Sequence, residues 1–188
     1  ASLDFMPFQE MKIKGAWIHT PMRHLDSRGS FEEQFKKSEV TDLLGHEFVV
    51  AQSNQSISKA GVVRGVHFTI GPDRQAKFVS CVRGAIWDVV VDLRKDSKTY
   101  LEWVGIELTP ENGLSVLINK DLGHLFLSLK NDSIINYLCS KEYDESNSGY
   151  VNPLDPSIGI DFSAMQKQYG ISHLILSNRD KNAPFIAS

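Results

Sequence analysis

The sequence predicts an all-β fold, a jelly roll in which two antiparallel sheets pack face to face around a ligand cavity, with short helical segments at the periphery and near the C-terminus. Three observations predict it. Strand-like apolar runs recur about every 8–12 residues and are divided by polar or Gly/Asn-containing breaks, the spacing of a sandwich or barrel. Nowhere do strands alternate with helices in the way a parallel sheet requires. Val89-Val90-Val91 is continuously apolar, as in a strand buried on both faces. The 188 residues fit one domain, 1–188, with enough length for a sizeable core.

The elements follow in order. Residues 13–20 are a short strand candidate. Asp26-Ser27-Arg28-Gly29 is a turn, because Asp, Ser and Gly supply turn geometry, and it leads into a strand with Phe31, Glu33 and Phe35 on one face. Residues 40–44 hold at most a helical turn, and 48–56 read as a strand that becomes polar. Two apolar runs, 62–69 and 76–82, flank a loop with Gly71-Pro72-Asp73. The first holds His67 and the second begins near Lys77, so two adjacent strands would point an imidazole and an ammonium into one pocket. Arg83-Gly84 is a favourable turn pair and predicts a hairpin between 76–82 and 85–93. Strands follow at 101–108, 115–119, 124–129 and 133–140. Residues 163–169 suit a short helix, and 173–180 are an apolar run that ends in charge.

Bulk properties narrow the function. The net charge of −3 gives no general basic field for nucleic acid. No apolar run approaches the roughly 20 residues of a membrane span, and no basic start with an apolar stretch behind it marks a secretory signal. Cys81 and Cys139 both sit in apolar runs and read as buried, reduced thiols, consistent with a cytoplasmic protein. Metal-ligand spacing is absent: Gly65 and Thr69 stand two residues either side of His67, and His19, His24, His46 and His173 are scattered. A metal-dependent oxygenase is therefore disfavoured.

The chain resembles the dTDP-4-dehydrorhamnose 3,5-epimerase family, metal-independent cupins that epimerise dTDP-4-keto-6-deoxy sugars. The resemblance runs along nearly the whole chain. It is carried by Asp26-Ser27-Arg28-Gly29-Ser30-Phe31-Glu32-Glu33, Gln52-Ser53-Asn54, Arg64-Gly65-Val66-His67-Phe68 and Gln75-Ala76-Lys77. Further on it is carried by Gly84 with Asp88, Val91-Asp92-Leu93-Arg94, Gly123-His124-Leu125-Phe126, Tyr137, Asp155-Pro156 and Leu176-Ser177 with Asp180. It implies a cupin jelly roll, no cofactor, and inversion of C5, C3 or both of a dTDP-4-keto-6-deoxyhexose.

Chemistry gives the motif residues roles. A C–H beside a ketone ionises only if its charge spreads onto the carbonyl oxygen. Inversion then needs a base on one face, a cation or donor at the oxygen, and an acid on the other face. A neutral imidazole, a poorly hydrated ammonium and a phenol meet these needs. His67, Lys77 and Tyr137 are the candidates, and the resemblance matches them to the family's base, enolate-stabilising lysine and acid. It matches Asp180 to the carboxylate that pairs with the base, and His124 to a second pocket histidine. It implies that Arg28 and Arg64 contact the diphosphate, that Glu33 and Gln52 meet the thymine, and that Asn54 supports sugar or phosphate. Arg64 lies three residues before His67, which in a regular strand puts them on opposite faces. Either a bulge or twist at Gly65 turns Arg64 inward, or it serves the rim. A homodimer is expected, with an N-terminal segment contributing to the partner's pocket.

The sequence departs from the family pattern at Leu125, expected to reshape the cavity wall, and at Leu138 and Glu142. The run Tyr137-Leu138-Cys139-Ser140 is closer to the unusual-deoxysugar branch. Two alternatives share the frame: a 3,4-ketoisomerase and a non-catalytic nucleotide-sugar binder.

Overall fold

The computed structural model describes residues 5–186. In chain order the strands are β1 (Phe8–Glu10), β2 (Ala16–His19), β3 (Arg23–Asp26), β4 (Gly29–Glu32), β5 (Gln52–Ser58), β6 (Val63–Thr69), β7 (Lys77–Arg83), β8 (Ile86–Val91), β9 (Trp103–Leu108), β10 (Ser115–Ile118), β11 (Gly123–Ser128), β12 (Ser133–Cys139) and β13 (Ser148–Tyr150). Helices α1 (Lys37–Leu44), α2 (Ser163–Tyr169) and α3 (Asn178–Lys181) lie outside the sheets. The first sheet runs β1-β2-β10-β7-β12-β5 and the second β13-β6-β11-β8-β9, all antiparallel. β3 and β4 form a separate hairpin. This is the jelly roll that the strand spacing predicts. Among the described residues no helix is long and apolar enough to cross a membrane.

Alternation decides which side chains meet between the sheets. Val79, Cys81, Val116, Ile118 and Ile135 of the first sheet pack against Ile86, Val90 and Phe126 of the second. The opposite side of the second sheet, with Trp87, Val89, Val91, Leu125 and Leu127, is covered by Val151, Ile158 and Phe162. β8 is therefore buried on both faces, as its apolar run predicts.

The hairpin expected at Arg83-Gly84 does not form. β7 and β8 belong to different sheets, so this turn is a crossover. Gly84 has φ +77°, and a Cβ there would lie 2.9 Å from Ser133 Cα. The Ser133 hydroxyl accepts from the Ala85 N–H at 3.1 Å, which ties the crossing to the start of β12. Arg83-Gly84 does turn the chain, but the partners of β8 are set instead by its need for cover on both faces. For the same reason His67 on β6 and Lys77 on β7 are not on neighbouring strands but on opposite sheets.

Other elements differ from expectation. Residues 37–44 make two helical turns rather than one, because Val40 and Leu44, four apart, bury against Trp17, Phe48 and Phe78, and Gly45 caps the end with φ 73°. The strand after Gly29 ends at Glu32. Phe31 is 66 % exposed while Phe35 packs beside Phe48 and Phe78, so they do not share a face with Glu33. Part of 173–180 is α3, capped by the Ser177 hydroxyl, which accepts from the Asp180 N–H at 3.1 Å.

Candidate active site

The inter-sheet space is apolar at one end and polar at the other. At the polar end β6 and β11 run side by side, and His67 lies directly opposite His124 in the register. Cross-strand partners project to the same face, so the two imidazoles are neighbours. Each binds a carboxylate from another element. His67 Nε2 is 2.7 Å from Asp180 Oδ1, and His124 Nε2 is 2.6 Å from Asp88 Oδ1.

Asp180 is brought in by α3 and is almost fully buried. Its second oxygen accepts from the Gly65 N–H at 3.1 Å. Burial pushes its acidity down, but the His67 contact together with the Gly65 and Ser177 hydrogen bonds outweighs this and holds the carboxyl below its usual range. The His67 side chain stays 36 % exposed. Its ring meets the Tyr150 ring edge-on at 5.2 Å, and Arg179 lies over Tyr150 at 4.8 Å and donates to its hydroxyl at 2.8 Å.

The bulge decides the orientation of Arg64. Arg64 pairs with Phe126 and His67 with His124, so β6 carries one more residue than β11 over this interval. His124 and Phe126 share a face of β11, and the extra residue of β6 brings Arg64 to the face of His67. Gly65 sits where only glycine fits: a Cβ would be 2.8 Å from Leu125 Cα, and its φ is +127°. The Arg64 Nε donates to the Ser58 hydroxyl at 3.2 Å.

The first sheet supplies the facing wall. Lys77 Nζ lies 5.8 Å from the centre of the Tyr137 ring. Tyr137 pairs with Asn54 across β12 and β5. Burial raises the Tyr137 pKa, reinforced by Cys139 and opposed by a hydrogen bond from Asn54 and the charge of Arg64. Burial lowers that of Lys77, opposed by Cys139 and Asp88. The Gln52 amide donates to Asn54 Oδ1 at 2.8 Å.

The structure thus brings His67, Asp180, Arg64 and His124 together on one wall and Lys77, Tyr137, Asn54 and Gln52 on the other. It does not bring Arg28 or Glu33 there. Arg28 is held by Asp26 at 2.6 Å at the tip of the β3–β4 hairpin with its side chain 88 % exposed, and Glu33 pairs with Lys36. Leu125 does not shape the cavity, contrary to expectation, because the alternation of β11 turns it to the outer face among Val63, Val66 and Leu127. Leu138 likewise packs on the outer side of the first sheet. Among the described residues no three His, Cys, Asp or Glu side chains converge to hold a metal ion.

Sequence reasoning gave no role to Tyr150, Arg179 or Asp88. Tyr150 sits in a strand too short to show a pattern. Asp88 carried a signal, a lone carboxylate in an otherwise apolar run, which is rare without a partner.

With this geometry in hand, comparison with known proteins is informative. The sequence profile of the dTDP-4-dehydrorhamnose 3,5-epimerases matches residues 10–188. A dTDP-4-dehydrorhamnose 3,5-epimerase from Mycolicibacterium smegmatis is 43% identical over 182 residues, covering 97% of this chain and 87% of that one. A dTDP-4-dehydro-6-deoxyglucose 3-epimerase from a Streptomyces species is 41% identical over 178 residues, with 95% and 88% covered. The crystal structure of ChmJ, a 3'-monoepimerase from Streptomyces bikiniensis in complex with dTDP-quinovose, superposes with a TM-score of 0.85 at 40% identity, with 95% and 87% covered.

Proposed function

The chain belongs to the dTDP-4-dehydrorhamnose 3,5-epimerase family, and from that premise we infer how its pocket works. It is an isomerase that epimerises a dTDP-4-keto-6-deoxyhexose, at C5, C3 or both. His67 is the base. Its Nε2 is engaged by Asp180, so Nδ1 takes the proton from the carbon beside the ketone. Asp180 fixes the tautomer and stabilises the imidazolium that forms. The electron pair of the broken C–H bond moves onto the C4 oxygen, where the Lys77 ammonium meets the developing charge. Tyr137, on the opposite sheet, delivers its proton to the other face of the carbon. The resulting phenolate is supported by Asn54 and the charge of Arg64, and solvent exchange resets both groups.

The observation that carries this reading is the division of groups between two walls: a carboxylate-backed imidazole on one sheet, an ammonium beside a phenol on the other. Arg64, Gln52, Asn54 and His124 hold the substrate around them.

Arg28 and Glu33 act on a second copy of this chain. Their hairpin exposes Leu25 and Phe31, and the outer face of the first sheet exposes Ile57 and Val82 beside a groove of about 350 Å³ lined by Phe35, Phe78 and Leu138. A homodimer covers these surfaces and carries each hairpin toward the partner's pocket. Light scattering on the purified protein is expected to give twice the chain mass, and a monomer at micromolar concentration overturns this arrangement.

The reaction is tested with freshly made dTDP-4-keto-6-deoxyglucose in D2O, followed by NMR at each carbon. Solvent deuterium is expected at every inverted carbon. A ketone moved to C3, or an undeuterated substrate, overturns the assignment.

A further inference from the structure

His67 and Asp180 come from parts of the chain 113 residues apart, and the 2.7 Å between them depends on what holds α3 against β6. Ahead of α3 the backbone does this: the Ile175 N–H donates to the Gly61 carbonyl at 2.8 Å, and the Ile175 carbonyl accepts from the Val63 N–H at 2.9 Å. Behind α3 a different stretch takes over. The carbonyls at the end of a helix need donors from outside it, and a helix of four residues has little rigidity of its own.

Three consecutive residues supply the link. Tyr150 stands opposite His67 in the register of β13 and β6. Val151 exchanges two backbone hydrogen bonds with Val66, at 3.0 and 3.2 Å. Asn152 then turns to the segment that follows Asp180. Its backbone N–H donates to the Pro184 carbonyl at 3.0 Å, and its side-chain Nδ2 donates to the carbonyls of Lys181 at 3.1 Å and Ala183 at 3.3 Å. Its Oδ1 accepts from the Leu154 N–H at 3.0 Å, so this amide, 7 % exposed, is engaged at both ends. Asp155, also buried, extends the hold, its Oδ2 accepting from the Ile186 N–H at 2.6 Å.

We propose that Asn152 is a positioning residue for the base: its backbone is keyed to the strand of His67, and its amide clamps the chain just after Asp180, so that the carboxylate meets Nε2. It acts through Asp180 and not on the substrate, and it rests on the role given to the His67–Asp180 pair above. The Ala183 N–H donates to the Asp180 carbonyl at 3.3 Å, which ties the clamped segment back to the residue that bears the carboxylate. A misplacement of about 1 Å in such a group can cost about a hundredfold in rate.

Asn152→Ser keeps an acceptor for the Leu154 N–H, since serine makes the same turn more weakly, but it offers one donor at shorter reach where the amide offers two. Its kcat is expected to fall about tenfold, with KM and the dTDP dissociation constant within about twofold of wild type. The decisive comparison is the same substitution in an Asp180→Asn background. No carboxylate is left there to place, so the double variant is expected to match Asp180→Asn within about twofold. A merely structural role would lower both by the same factor. Asn152→Thr fills more of the volume and carries the same comparison if Asn152→Ser fails to fold.

If Asp180→Asn alone keeps the wild-type kcat, the reading of the pair fails and this inference with it. If Asp180→Asn slows the enzyme but the substitution at Asn152 does not, or if the two losses multiply in the double variant, the inference about Asn152 is overturned alone.

Discussion

Two His–Asp pairs sit side by side, their histidines on adjacent strands of one sheet, with nearly equal lengths, 2.7 Å for His67–Asp180 and 2.6 Å for His124–Asp88, and yet they are built for different work. The His67 side chain is 36 % exposed and that of His124 only 9 %. Asp180 arrives on a short helix near the C-terminus, and both its oxygens are engaged, one by His67 and one by the Gly65 N–H. Asp88 is part of a strand buried on both faces and has an oxygen to spare. A proton-transfer group must reach the substrate and return its proton to solvent, so the accessible pair suits the base. A fixed charge must be shielded from solvent to act over distance, so the enclosed pair suits electrostatic support.

Substitution at the two histidines breaks or upholds that contrast most directly. His67→Ala is expected to lower turnover about a thousandfold, within the usual range for a lost general base, with solvent exchange at the substrate carbons lost and dTDP affinity kept. His124→Ala is expected to cost nearer tenfold. Equal losses in the two variants would mean that the pairs are interchangeable and the contrast is false.

Tyr137→Phe comes next, at about a hundredfold. It removes the acid on the far wall but not the base, so it is expected to wash deuterium into the substrate faster than it inverts any carbon. Inversion and exchange slowed in equal proportion would place Tyr137 outside the proton path. Asp180→Asn is expected to cost a similar factor, because the imidazolium loses its counter-charge. The profile of kcat/KM against pH is expected to change with it. A profile identical to that of the wild type would detach Asp180 from the base.

How much of this was legible in the sequence depends on how local the signal was. Strand positions follow from alternation, so most strands fell within a few residues of their expected place, and α2 spans 163–169 as read. Pairing is not local. Arg83-Gly84 has the chemistry of a hairpin turn, but the partners of β7 and β8 are chosen by what can cover their faces, and that depends on residues far along the chain. The doubt about Arg64 was visible as a parity conflict with His67, and its resolution, a bulge at Gly65, was one of the two outcomes that parity allows. Arg28 and Glu33 were placed by resemblance alone, and nothing local could say that their own chain leaves them outside. Asp88 was visible as an anomaly, but its partner, His124, comes from β11, a strand that local sequence does not assign to it.

The smallest expected effect concerns stability rather than turnover, and it sharpens what the Asp180 pair contributes to the fold. The folded Asp180 carboxyl is held below the ordinary carboxylate value of 3.8. The folded protein therefore binds fewer protons than the unfolded chain between the two values, and the pair's contribution is present above the unfolded pKa and lost as pH falls through the folded one. Asp180→Asn has no such contribution to lose. The difference in thermal midpoint between wild type and variant is expected to be steady from pH 7 to about 5 and to narrow below about pH 4. Asp92 is held down in the same direction, with burial opposing and Arg94, Ser97 and Thr99 prevailing, and both proteins keep it, so it cancels from the comparison. A difference that stays constant into the acid range would show that α3 is held against β6 by the Ser177 cap and its backbone contacts, with the carboxylate serving the imidazole alone.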